Sequence, residues 1–274
     1  RLLDEALNDL PEMVESLRAG TATWVLKGSL VDRASDMLIF NSIDRLQSHL
    51  RKKWDDGAED DEGGGLAEVR EWVVQRYIDA PLLLDTGRKF HVRAYVLAVG
   101  DLEVYVYRPM LALFAKESYS REEIGNLASH TTNTCSQGDS PDATSVQLFW
   151  DLEKRGAPQD RLEDAYGQIK AIVAETFTAL SSEPTVFQAR RNLFEIFGFD
   201  FMLDSSYRVW LLEANSFPDF KQSGDHLTNT ILDLFDCTIS RALDAVLFRD
   251  TIDDDDDERA ALVFSVTSSD KSAG

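Results

Sequence analysis

Residues 197–204 read Phe-Gly-Phe-Asp-Phe-Met-Leu-Asp, and residues 207–215 read Tyr-Arg-Val-Trp-Leu-Leu-Glu-Ala-Asn. Both runs are rich in aromatic and aliphatic residues, and only Ser205-Ser206 separates them, so they predict a β-hairpin. Side chains alternate between faces along a strand. That puts Phe199, Phe201 and Leu203 on one face, with Trp210 and Leu212 opposite them in an antiparallel pair. The other face carries Asp200, Glu213 and Asn215. Glu213 and Asn215 lie two apart and point the same way, and a register with Asp200 opposite Glu213 brings all three together. Two carboxylates and an amide oxygen form a hard oxygen-donor set, suited to Mg²⁺ rather than zinc. Without a counter-charge, such carboxylates repel one another. The alternative reading is the solvated outer face of an ordinary hairpin.

Upstream, three more stretches supply cations. Lys27 ends the apolar strand Trp24-Val25-Leu26-Lys27, whose expected hairpin partner is 37–40, and a strand-end lysine can reach a phosphate as a point charge. Lys89, His91 and Arg93 share one face of a strand predicted over 89–99, against Phe90 and Val92 on the other. Arg108 follows the next strand, 102–107, across a turn at Gly100-Asp101. Cations beside a carboxylate–metal site make a clamp for phosphate and carboxylate groups. Taken singly, each is equally readable as part of an ion-pair lattice. His130-Thr131-Thr132-Asn133 reads as a polar turn, and His49 and His226 carry no functional reading.

Periodicity places helices over 1–18, from Asn41 or Ser42 to about Lys53, over 161–180 and over about 225–248, with a further strand at 72–77. Residues 55–66 are acidic and glycine-rich with nothing to bury, and read as a disordered insertion. One domain is expected over 1–250, followed by a disordered tail over 251–274, acidic and then Ser/Thr-rich. Interleaved helices and hairpins make the fold class α+β with a mixed sheet.

Bulk properties narrow the function. The 274 residues carry a formal charge of −21, with two runs of six acids, Asp55 to Glu62 and Asp253 to Glu258. Such a surface repels nucleic acid and anionic lipid, so neither is an expected partner. Two cysteines argue against a disulfide scaffold and fit a reducing, cytoplasmic compartment. Walker, dinucleotide, Ser–His–Asp and H-E-x-x-H patterns are absent, which removes support for P-loop, Rossmann and common hydrolase readings.

In order, W-V-L-K (24–27), V-V-Q-R-Y-I (73–78), P-L-L-L (81–84), R-K-F-H-V-R-A-Y-V-L (88–97), Y-R-P (107–109), H-T-T-N-T (130–134), F-G-F-D-F-M-L-D (197–204) and W-L-L-E-A-N (210–215) resemble the tubulin–tyrosine ligase family, a branch of the ATP-grasp enzymes. The resemblance covers about residues 20–245, and Ser216 to Gln222 resembles the fungal-type members more than animal tubulin–tyrosine ligase. It implies an ATP-grasp fold, of which the N-terminal part is expected to lie outside this sequence. It also implies ATP and Mg²⁺ as cofactors, a free amino acid as co-substrate, and a protein acceptor, tubulin in the namesake. Lys27 and Arg33 would contact phosphates, and Gln75, Tyr77 and Ile78 would form the adenine hinge. Lys89, Arg93 and Arg108 would hold phosphate and acceptor carboxylate with Asn133 nearby, and Asp200, Glu213 and Asn215 would hold Mg²⁺. The implied reaction is phosphorylation of a peptide carboxylate to an acylphosphate, which an amino acid's amine then displaces.

One loop departs from that pattern. Where the family carries K-P-S-x-x-D-[KR]-G-x-G-I, residues 27–37 read KGSLVDRASDM, with Ala34 and Asp36 in place of both later glycines. Side chains there limit backbone approach to a phosphate and remove access to positive φ. A second reading therefore stands beside the ligase: an impaired relative that keeps the fold and serves as a nucleotide-binding or protein-interaction module.

Overall fold

The computed structural model describes residues 9–28, 37–59, 72–132, 144–183, 185, 188–220, 225–247 and 258–265. Helix α1 (Pro11–Ala19) starts on a proline and stops at Gly20, which takes φ 65°, a left-handed cap open to glycine. Strands β1 (Trp24–Gly28), β2 (Leu38–Phe40) and β3 (Trp72–Arg76) form a small antiparallel sheet in the order β2-β1-β3. Helix α2 (Ile43–Glu59) is capped by the Ser42 hydroxyl, which accepts from Arg45 N–H at 3.3 Å. It extends past the expected end near Lys53 into the stretch read as an insertion. Met13, Leu17, Trp24, Leu26, Phe40 and Leu46 close the core beneath this sheet.

The larger sheet is built on β4 (Arg88–Val99). One of its edges pairs with β5 (Glu103–Tyr107) and β6 (Leu111–Ser118), the other with β8 (Phe194–Leu203). Beyond these lie β7 (Val146–Leu148) on β6, β9 (Val209–Asn215) on β8 and β10 (Ala260–Ser265) on β5. Every pairing among the described residues is antiparallel, so the mixed sheet expected from interleaved elements resolves into antiparallel ladders. Strand β6 and the short helix α3 (Leu127–His130) were not legible in the sequence.

Helix α4 (Gln159–Ser181) packs Leu162, Ala165, Ile169, Val173 and Phe177 onto one face of this sheet, against Phe90, Val92, Val104, Phe199 and Phe201. Helix α5 (Thr228–Leu247) packs Leu234, Cys237 and Ala242 onto the other, against Tyr95, Leu97 and Tyr105. Strand β4 is thus asymmetric on that second face. Its C-terminal half is apolar under α5, while its N-terminal half presents Lys89, His91 and Arg93 beyond the helix.

Two expectations are corrected. Residues 260–265 are a strand, not tail: Ala260 pairs with Tyr107 and Leu262 with Tyr105, and the apolar run Ala260 to Phe264 gains an edge to bury against. The hairpin also carries a bulge. Asp200 faces Glu213, but Phe201 faces Leu211 rather than Leu212, so one residue is inserted between them. The inserted residue reverses the phase of the strand. Val209 and Leu211 pack on the core, in place of the expected Trp210 and Leu212, and Trp210 stays exposed. No helix among the described residues is long and apolar enough to cross a membrane.

Candidate functional site

Asp200 and Glu213 are register partners on β8 and β9, and Asn215 follows two residues on, opposite Gly198. Arg93 on β4 is the register partner of Asp200 on its other side. One row across three strands therefore reads Arg93, Asp200, Glu213. The Arg93 guanidinium clasps Asp200 through both oxygens: Nε donates to Oδ1, and Nη2 to Oδ2 at 2.9 Å. Both side chains are buried. Burial opposes the Arg93 charge, but the hydrogen bonds and field of Asp200 outweigh it and raise the arginine's pKa. Gly198 makes room for this clasp, since a Cβ there would meet Pro218 Cβ at 3.0 Å and Arg93 Cδ at 3.1 Å.

Glu213 is held more loosely. Lys27, from the small sheet, reaches it with Nζ 3.5 Å from Oε2, and Asn215 Nδ2 donates to Oε1 at 3.3 Å. Both members of this ion pair are partly exposed, so it contributes less than about 1 kcal/mol. The contact nevertheless shows that β1 faces the carboxylate row across the gap between the two sheets. Val25, on the same face of β1 as Lys27, packs with Ile39, Tyr77 and Ile124 on that inner side.

Lys89 is buried and has no carboxylate ion-pair partner among the described residues. Its Nζ lies 4.3 Å from the centre of the Tyr77 ring and donates to Tyr77 Oη at 2.9 Å. Desolvation brings its pKa down from 10.5 to about 7, although Asp79 acts in the opposite direction. Tyr77 Oη in turn meets His130 Nδ1 at 2.6 Å, and His130 Nε2 lies 3.2 Å from Glu123 O. Burial and the charge of Lys89 lower the His130 pKa, which keeps the imidazole neutral. The consistent arrangement has Tyr77 donating to Nδ1 while Nε2–H donates to the Glu123 carbonyl. His130 is therefore more than a polar turn: it orients the phenol that holds Lys89.

His91, between Lys89 and Arg93, bonds Thr132 Oγ1 through Nδ1 at 2.5 Å. Its Nε2 is buried with no hydrogen-bond partner among the described residues and lies 3.7 Å from Asp200 Oδ1. Burial lowers its pKa, so the ring is neutral and adds no charge beside Asp200.

Of the residues expected at the site, Lys27, Lys89, Arg93, Asp200, Glu213 and Asn215 converge. Tyr77 joins them through Lys89, and Gln75 and Ile78 flank it on the same segment, half-buried. Arg33 and Asn133 lie outside the described residues, as does most of the departing loop at 28–37. Arg108 is not brought in. It stacks on Trp150 at 4.3 Å and Tyr166 at 5.2 Å and pairs with Glu163 at 2.6 Å, all on the α4 side of the sheet. Its contacts there are packing and ion pairing, and its parity in the sequence points to the same side. Counting along β5, Arg108 follows Val104 and Val106, which face α4.

The donor set fits a hard divalent cation: Asp200, Glu213 and the Asn215 amide oxygen stand side by side. Among the described residues no three His, Cys, Asp or Glu side chains gather as metal ligands, so the amide is needed to complete the set. The carboxylates are neutralised by Arg93 and Lys27. A cation held by these residues would share or take over Asp200 and free Arg93 for an anion.

Comparison with known proteins identifies the family and the fold. The tubulin–tyrosine ligase family model matches residues 2–252. A Schizosaccharomyces pombe protein, named as a "Probable tubulin–tyrosine ligase", is 35% identical over 266 residues, covering 88% of this chain and 64% of the relative. A Saccharomyces cerevisiae protein, named as "Probable tubulin–tyrosine ligase PBY1", is 34% identical over 299 residues, covering 97% of this chain and 40% of the relative. A solved structure, the C-terminal domain from K. lactis Pby1, is described as an ATP-grasp enzyme interacting with the mRNA decapping enzyme Dcp2. It matches with a TM-score of 0.68 at 35% identity, over 97% of this chain and 69% of that one. The chain spans less than two thirds of the length of these two curated relatives. Its two sheets with flanking helices form an α+β ATP-grasp fold, and the chain belongs to the tubulin–tyrosine ligase family, as a fungal-type member.

Proposed function

We propose that this protein is an ATP- and Mg²⁺-dependent ligase of tubulin–tyrosine-ligase type, joining the amine of an amino acid to a protein carboxylate. The observation that carries the reading is the row Arg93–Asp200–Glu213, with Asn215 beside it and Lys27 and Lys89 closing on it from the small sheet and from β4. Gln75, Tyr77 and Ile78 would line the adenine, and Lys27 and Lys89 would meet the phosphates. Asp200, Glu213 and Asn215 would hold Mg²⁺, which when bound draws negative charge from the phosphate oxygens during in-line transfer. Arg93, released from Asp200, would bind the transferring phosphoryl group or the acceptor carboxylate. The acceptor oxygen displaces ADP from the γ-phosphorus. The amine then displaces phosphate from the acyl carbon and gives up a proton. Tubulin is the acceptor named for several relatives, and here it is one candidate among protein acceptors.

The test is ADP formation by purified protein with Mg²⁺, an amino acid mixture and carboxyl-terminal peptides, with mass spectrometry of the peptides. Addition of one residue that requires Arg93 supports the reading. ADP formation that ignores both co-substrates contradicts it. A second reading, a nucleotide-binding or protein-interaction module without turnover, is favoured by Ala34 and Asp36 in the phosphate loop. It predicts Mg·ATP binding with no product.

A further inference from the structure

Helix α5 is apolar on two sides. Leu234, Cys237 and Ala242 bury it against the sheet. On the outer side Leu232, Phe235, Ile239 and Leu243 follow one another at spacings of 3, 4 and 4, a single helical stripe. Their exposures are 60%, 37%, 54% and 48%. Beside the stripe, Phe194 and Phe217, exposed to 53% and 91%, line an open groove of about 470 Å³ with Ile196, Pro218 and Phe220. The Phe220 ring joins the two features, lying 4.9 Å from Phe235 and 5.5 Å from Tyr95. A continuous apolar surface of this kind marks a recognition site.

The surroundings of the patch specify its occupant. Glu195 lines the groove, Asp219 lies in the chain between its lining residues Pro218 and Phe220, and on α5 Asp233 and Asp236 share the single cation Arg259, at 3.2 and 2.9 Å. The chain as a whole carries −21. A second copy would bring the same charge to the same face, and an acidic peptide would be repelled in the same way. An amphipathic segment with apolar residues at helical or strand spacing and Lys or Arg at its edges matches both the patch and its rim. The groove also reaches the candidate site. Ser216 and Phe217 follow Asn215 directly, and Pro218 sits against Gly198, whose other neighbour is Arg93.

We propose that the outer face of α5 and the groove at Phe194 and Phe217 dock a basic, amphipathic segment of a partner protein. Resting here on the ligase reading, this segment is the acceptor, and its carboxylate extends past Pro218 toward Arg93. The preferred acceptor is then apolar and basic, in contrast to a glutamate-rich tail.

Fluorescence anisotropy with the whole chain tests this, using three labelled peptides of equal length: a Leu/Lys amphipathic peptide, its Leu/Glu counterpart, and a Ser/Lys peptide of the same charge. Mg·ATP affinity is measured in parallel by calorimetry. The Leu/Lys peptide is expected to bind at least tenfold more tightly than either control, with affinity falling as salt rises. Ile239→Glu and Phe217→Ser, both on the surface, are each expected to weaken it about tenfold. Equal binding of the Ser/Lys peptide reduces the patch to bulk charge and overturns the proposal, as does preference for Leu/Glu. Self-association that Ile239→Glu abolishes assigns the face to a second copy and equally overturns it. Peptide binding without Mg·ATP binding leaves the docking face standing and sinks the ligase reading instead. Mg·ATP binding without peptide binding does the reverse.

Discussion

Arg93 and Asp200 form a buried pair, and under the proposed function each would be needed elsewhere once nucleotide binds. Removing one partner strands a buried charge, so Arg93→Met should destabilise the protein by about 3–5 kcal/mol, and Asp200→Leu in the same chain should recover most of that. Urea unfolding of the two variants checks this. Binding should follow another course: Asp200→Asn frees Arg93 without needing a cation, so ATP affinity measured in EDTA should rise relative to wild type and lose its dependence on Mg²⁺. Lys89 makes a separate prediction. Its folded pKa near 7 lies below its ordinary 10.5, so between those values the unfolded chain holds a proton that the folded chain does not. Stability should therefore gain from this group as pH rises from about 7 toward 10.5. Lys89→Met should flatten that rise in urea midpoints, and an unchanged slope would place the lysine's charge elsewhere. The carboxylate face was legible because alternation fixes which side chains share a face. The Lys89–Tyr77–His130 chain was not, because it joins residues 53 apart in sequence through tertiary packing.

At the scale of elements, the hairpin shows both the power of a period-two reading and its weak point. The polar face was placed correctly because Asp200, Glu213 and Asn215 lie on one side of the bulge. The apolar face was misread because a single extra residue, Leu212, reverses the phase beyond it. Leu211→Ala should therefore cost about 1–3 kcal/mol and exceed Leu212→Ala, and equal costs would argue for an unbulged strand. Strand β10 was hidden for a different reason. The run Ala260 to Phe264 is apolar but follows six consecutive acids, and composition averaged over the tail hides it. Pairing with β5 supplies the partner that the local sequence lacks. Phe264→Ala should lower stability by about 1–3 kcal/mol in thermal or urea unfolding, whereas a free tail would show no change.

Across the whole molecule, the α+β class and most elements could be read from hydrophobic period, and the order of motifs carried the family. What periodicity left open is how the two sheets face each other, which depends on Lys27 meeting Glu213 and on Val25 packing with Tyr77. The proposed function puts a nucleotide and its cation in that gap, where the small sheet meets the row Arg93–Asp200–Glu213. Calorimetric titration of ATP into the protein, with and without Mg²⁺, tests it most directly, with Glu213→Ala alongside because that exposed side chain is expendable for folding. Saturable one-to-one binding with Mg²⁺ is expected, with at least tenfold weaker binding without it and at least tenfold loss in Glu213→Ala. No binding by correctly folded wild type, or binding that ignores Glu213, would contradict it.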